Sequence, residues 1–177
     1  WVWDSADNDL IKQQPRNVPL GFKSTPIKIG NTLYLNTSLG QVAALDPATG
    51  KQRWLFDTQA YEHGRPANLG FNTRGVAYWS RGQSHRILVG TNNGFLWSLN
   101  ADTGLPDKAF GAEGKIDLTQ GLGRPTNRSF YSSVSPPLIV GDTVIMGSVV
   151  MDVPLAGFAP RNRSDIPPGH VRGFDVL

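Results

Sequence analysis

Few residues in this chain have the type and spacing that chemistry demands. His63, His85 and His170 stand far apart, without the two-to-five-residue ligand spacing of a zinc site, and there is no cysteine to supply a thiolate. Glu62 and Glu113 are the only glutamates, and no Gly-x-Ser-x-Gly elbow occurs. Gly121-Leu-Gly-Arg124 lacks the later Gly or Gly-Lys of the phosphate-binding loops. A smaller set remains. Arg74 lies in the polar stretch Asn72-Thr-Arg-Gly75 and offers a planar, bidentate donor to carboxylates that stays charged when desolvated. Asp152 ends Met146-Gly-Ser-Val-Val-Met-Asp152, where an acid just past an apolar strand offers a hard oxygen ligand to a divalent cation. Gly147 and Ser148 let backbone come close to a bound group. Ser133 and Ser135, ahead of Pro136-Pro137, carry hydroxyls for an anion. The structural alternatives are a solvated loop arginine, a turn-capping aspartate and turn serines.

The elements that must position these residues are strands. Gly and Pro make up about 19% of the 177 residues, against roughly 12% in ordinary usage, which excludes helical bundles and coiled coils. With 39% hydrophobic residues the chain can build a core and is not disordered. No apolar run approaches the length of a membrane span, and no charged-then-apolar leader can be read in the given sequence. The net charge is +3, from 11 Arg and 6 Lys scattered without a basic cluster, so nucleic acid is not an expected partner.

Internal repetition gives the architecture. Gly40 and Gly94, Asp46 and Asn100, and Gly50 and Gly104 are each 54 residues apart. A third copy begins at Gly141-Asp-Thr-Val-Ile-Met-Gly147 and resumes at His170-Val-Arg-Gly-Phe-Asp175. A fixed period marks units that bury their faces against their neighbours. Each copy reads as a hairpin: Leu33-Tyr34-Leu35 and Val42-Ala43-Ala44-Leu45 flank a glycine turn, and the second copy turns on Asn92-Asn93-Gly94. Asp46 and Thr49-Gly50 close a further turn. Trp54, Trp79 and Trp97 at repeat-related places read as packing between sheets. The expectation is an all-β, partial β-propeller of four-stranded antiparallel blades. Its repeats fall at about 25–57, 86–111 and 136–177, within one domain over 1–177 and with an insertion at 152–169.

Gln41 through Trp54, with its Ala-Leu-Asp-x-x-Thr-Gly-Lys core, resembles the repeat of the pyrroloquinoline quinone (PQQ) dehydrogenases. Thr25-Pro-Ile-Lys-Ile-Gly-Asn-Thr-Leu-Tyr34, Ala109-Phe-Gly-Ala-Glu-Gly-Lys-Ile-Asp-Leu118, Ser135-Pro-Pro-Leu-Ile139 and Val171-Arg-Gly-Phe-Asp-Val176 look like the membrane-bound glucose dehydrogenase branch. The resemblance implies an eight-bladed propeller with PQQ on its axis and calcium or another divalent cation beside it, of which this chain is a fragment of about three blades. It implies oxidation of a sugar or polyol, with ubiquinone or a cytochrome taking the electrons in the periplasm, at the outer face of the inner membrane. Membrane association would come through segments outside this chain, and the catalytic base would lie beyond Leu177. By the same resemblance Arg74, Ser133, Ser135, Gly147, Ser148 and Arg172 face the cofactor and Asp152 ligates the metal. Two departures stand out: Gly70 where the branch often has His, and Met151-Asp152 where it tends to have Asp-Asn. The alternative is a non-catalytic propeller of the outer-membrane assembly type, which shares the repeat but needs neither Arg74 nor the long insertion.

Overall fold

The computed structural model describes residues 1–66, 70–151 and 166–177. The repeat folds as meandering antiparallel sheets. In the first, β1 (Ile27–Ile29), β2 (Thr32–Asn36), β3 (Gln41–Leu45) and β4 (Gln52–Asp57) pair in chain order. The second repeats this with β5 (Ala77–Arg81), β6 (Ser84–Gly90), β7 (Phe95–Asn100) and β8 (Lys115–Asp117). After it, β9 (Tyr131–Ser132) leads into a third sheet holding β10 (Leu138–Val140) and β11 (Thr143–Met146). The chain then leaves that sheet as β12 (Val149–Val150), which pairs with β9, and returns as β13 (Arg172–Asp175) against β11.

The 54-residue period survives in atomic detail at the turns. Asp46 Oδ1 accepts from the amides of Ala48 and Thr49 and from the Thr49 hydroxyl, at 2.9, 3.0 and 3.1 Å. Asn100 Oδ1 does the same for Asp102 and Thr103, at 3.0, 3.0 and 3.1 Å. An Asx turn needs only an acceptor oxygen at this place, so Asp and Asn are equivalent here.

Each turn receives a tryptophan ring. The Trp54 indole donates to the Ala101 carbonyl at 2.9 Å, and its ring lies flat on Gly104. Trp1 takes the corresponding place on the first sheet, donating to the Pro47 carbonyl at 3.2 Å with its ring on Gly50. Trp79 joins the second sheet to the third by donating to Asp142 at 3.1 Å, and Arg81 pairs with the same carboxylate at 2.9 Å. Between sheets one and two lies a core of Val42, Ala44, Ile87, Val89 and Leu99; between two and three lie Leu88, Leu96, Phe110, Val144 and Val176.

Gly104 has φ +73, and a Cβ there would stand 2.6 Å from the Trp54 ring. Gly104→Ala is therefore expected to lower stability by about 3 kcal/mol, combining left-handed strain with a clash against a ring that cannot move aside. Gly141→Ala has similar strain (φ +58) but open space around it, and should cost only about 1 kcal/mol. Thermal unfolding of the two variants checks the difference; equal losses would contradict the docking contact.

Candidate functional site

The first strands of the three sheets converge at their leading ends. The Thr25 amide donates to the Arg74 carbonyl at 2.8 Å, and the Arg74 amide donates to the Val134 carbonyl at 2.8 Å. Gly75 is wedged between Thr25 and Pro136; a side chain there would meet the Thr25 carbonyl at 2.9 Å and the Pro136 ring at 3.0 Å. Glycine is the residue that lets three backbones approach so closely.

This ladder fixes the backbone of Arg74 on both sides while leaving its side chain exposed. The guanidinium has no hydrogen bond, ion pair or ring contact among the described residues. Other arginines are spoken for: Arg53, Arg81, Arg86 and Arg128 each pair with an aspartate.

Four more of the sequence candidates join Arg74 in one strip. Ser133 and Ser135 flank Val134, the acceptor of the Arg74 amide. Ser135 is exposed; Ser133 is buried against Gly90 and donates its hydroxyl to the Gly147 carbonyl at 3.2 Å. Gly147 is exposed with open space over its Cα, and Ser148 follows it, donating to the His170 carbonyl at 3.4 Å. Gly147 and Ser148 are the break between β11 and β12, where the chain leaves its sheet. Arg172 lies elsewhere, in the seam between the second and third sheets. It donates to the Leu118 carbonyl at 2.9 Å and stacks 4.8 Å over Phe174. Tyr131 sits between Arg172 and Ser148; burial pushes its hydroxyl pKa up, with the Ser148 hydrogen bond and the Arg172 charge opposing. Asp152, the metal candidate, lies outside the described residues. Among the described residues no group of three acidic, His or Cys side chains could hold a metal ion.

Sequence reading missed Ser24, Asn36 and Asn72. Ser24 precedes the Thr25 amide that meets Arg74, and its hydroxyl donates to Asn36 Oδ1 at 2.8 Å. Asn36 Nδ2 and Asn72 Oδ1 are buried without a partner, a condition that calls for a further group at the site. The available signal was a polar residue closing the apolar run Leu33-Tyr34-Leu35. With Arg74, Ser135 and the orphaned Asn36 amide, the strip offers donors and one positive charge that has no partner among the described residues, which suits a ligand carrying carboxylates.

Successive antiparallel sheets, the first two four-stranded and docked by Trp54 on Gly104, with their leading ends brought together around Arg74, define part of a β-propeller. The chain belongs to the PQQ dehydrogenase family: residues 1–177 match the family model described as "PQQ: Glucose/ethanol/alcohol dehydrogenase, beta-propeller domain". It is similar to the quinoprotein glucose dehydrogenase of Escherichia coli (strain K12), with 30% identity over 192 residues, 99% of this chain and 22% of that protein. It is also similar to the quinate/shikimate dehydrogenase (quinone) of Acinetobacter baylyi, at 30% identity over 86% of this chain and 20% of the relative. Among solved structures, the quinohemoprotein alcohol dehydrogenase from Comamonas testosteroni superposes with a TM-score of 0.66 at 21% identity, covering 90% of this chain and 20% of that one. The chain thus spans about a fifth of the length of these relatives.

Proposed function

We propose that this chain is the opening part of an eight-bladed PQQ-dependent dehydrogenase that oxidises a hydroxyl of a sugar or polyol. The observation that carries the reading is Arg74, held by backbone bonds on both sides at the convergence of three sheets, with its guanidinium left without a partner among the described residues. When bound, PQQ supplies the hydride-accepting quinone, chemistry that no side chain here provides. The chain's own residues bind and orient it. Arg74 takes a carboxylate in a bidentate grip, Ser135 offers a hydroxyl beside it, and exposed Gly147 lets backbone approach the ring. Asp152 supplies an oxygen ligand to calcium. Ser133 supports the strip from behind through Gly147, while Arg172 braces the seam at Leu118 away from it.

The base that takes the substrate's hydroxyl proton belongs to a later blade, so this chain alone is inactive. In the whole protein the electrons pass to ubiquinone or a cytochrome at the periplasmic face of the inner membrane. Among the described residues no helix is long and apolar enough to cross a membrane, and the membrane association proposed here rests on segments outside this chain.

Thermal unfolding of the full-length protein tests the cofactor assignment. Ligand at about a hundred times its Kd stabilises by about 2.7 kcal/mol, so PQQ with calcium should raise the Tm by several degrees. An unchanged transition with both in excess would rule the assignment out.

A further inference from the structure

Between the first two sheets, on the side of their outer strands, lies a groove of about 520 Å³ that the strip at Arg74 does not use. Small-molecule sites occupy roughly 300–1,000 Å³. Both walls belong to this chain, with β4 and the turn after it on one side, and β7, β8 and the segment joining them on the other. The floor is aromatic. Phe56 meets Trp97 edge-on at 5.1 Å between centroids, and Phe95 lies alongside. The Lys115 ammonium stands 4.9 Å over Phe95 and 4.6 Å over Trp97, with no carboxylate partner among the described residues.

Two independent features mark this groove as more than a crease. Trp97 is 9% exposed, and its indole Nε1 is buried without a hydrogen-bond partner. Buried donors almost always have partners, so an orphan on a groove wall points to a group that completes it. The second feature is backbone strain. Gln59 (φ 55) and Glu113 (φ 53) are the only non-glycine residues with positive φ among the described residues, and they face each other across the groove. Residues held in the left-handed region collect at ligand sites.

The charges select the ligand class. Asp57, Glu62 and Glu113 line the groove, which disfavours an anion. The ammonium of Lys115, standing over the rings, disfavours a cation. An uncharged ring bearing hydroxyls meets every demand. Its apolar face lies on Phe56, since Phe95 is already covered by the Arg128 guanidinium at 4.5 Å; its oxygens accept from Lys115 and the Trp97 indole, and its hydroxyls donate to Glu62 and Glu113. The flexible Lys115 chain, which covers the indole, swings aside to admit it. We propose that this groove is a saccharide-binding site for a pyranose unit. It stands apart from the strip at Arg74 and does not depend on that strip taking PQQ.

Titration calorimetry on the full-length protein, freed of PQQ and metal, provides the test. The probe is methyl β-D-glucopyranoside, with acetate and spermidine as charged comparisons. The glucoside should bind more tightly than either. Trp97→Phe keeps the ring and deletes only the orphan N–H, so it should weaken glucoside binding about tenfold without lowering the Tm. Lys115→Met, at the rim, should weaken binding as well and serves if Trp97→Phe does not fold. Arg74→Ala should leave the glucoside affinity unchanged. No glucoside binding up to the probe's solubility, equal or tighter binding of acetate or spermidine, or unaltered affinity in the groove variants would overturn the proposal.

Discussion

Arg74→Ala in the full-length protein should weaken PQQ binding by about 10- to 100-fold, because a hydrogen bond to a charged group is worth about 1.5–3 kcal/mol. The Tm of the ligand-free protein should stay within about a degree of the parent, since an exposed side chain without partners supports nothing else. Both halves follow from the same geometry: the backbone of Arg74 does the structural work, through its amide to Val134 and its carbonyl to Thr25, and survives the substitution. Arg74→Lys should recover only part of the affinity. A lysine keeps the charge but loses the planar fork that grips a carboxylate at two points. The measurements are PQQ titration by quenching of intrinsic fluorescence and thermal unfolding without ligand. An affinity equal to the parent's would remove Arg74 from the site, and a large fall in Tm would make it a structural residue instead.

Much of this was legible because the informative contacts are local or periodic. The Asp46 and Asn100 turns are built within four residues, so their spacing in the sequence is their geometry. The tryptophans follow the same period, and Trp54 and Trp79 join neighbouring sheets as their positions suggest. Trp1 shows the limit: it docks on Gly50 as Trp54 docks on Gly104, but no repeat before it marks it as a member of the series. The second sheet begins at Ala77, ahead of the repeat similarity at 86: its first turn carries Gly82 at positive φ, as Gly30 and Gly141 do in theirs, but Gly82 stands 52 residues after Gly30 and so falls off the 54-residue spacing.

The site was legible only in part, for a different reason. It forms where segments 50 and 61 residues apart, around Thr25, Gly75 and Pro136, are brought into contact. Nothing in the spacing of Ser24 or Asn36 announces that they stand beside Arg74. Arg172 is a candidate through the resemblance alone, and its place is set by the Leu118 carbonyl, just past β8, and the Phe174 ring on β13. Charge and residue type name the candidates; only the packing of one blade on the next decides which of them keep a free hand.

That packing also sets a stability effect as large as the one expected at Gly104. Arg86, on β6, has only 10% of its side chain exposed; its Nη2 pairs with Asp107 at 2.6 Å and its Nη1 donates to the Val176 carbonyl, while the guanidinium lies 5.1 Å over the Trp79 ring. One cation thereby ties the second sheet, the segment between β7 and β8, and the end of the third sheet. Asp107→Ala strands this charge in the seam. Breaking a buried pair from one side costs about 3–5 kcal/mol, and because Asp107 is itself 24% exposed the lower end, about 3 kcal/mol, is expected. Removing both charges should hurt less than removing one: Arg86→Met combined with Asp107→Ala leaves an apolar side chain against Trp79 and no orphan cation, and should recover at least half of the loss. Urea unfolding of the full-length single and double variants measures the difference, and limited proteolysis should cut between the second and third sheets first in Asp107→Ala. If that variant unfolded within about 0.5 kcal/mol of the parent, the range of ordinary surface substitutions, the joint between these blades would rest on its apolar core alone.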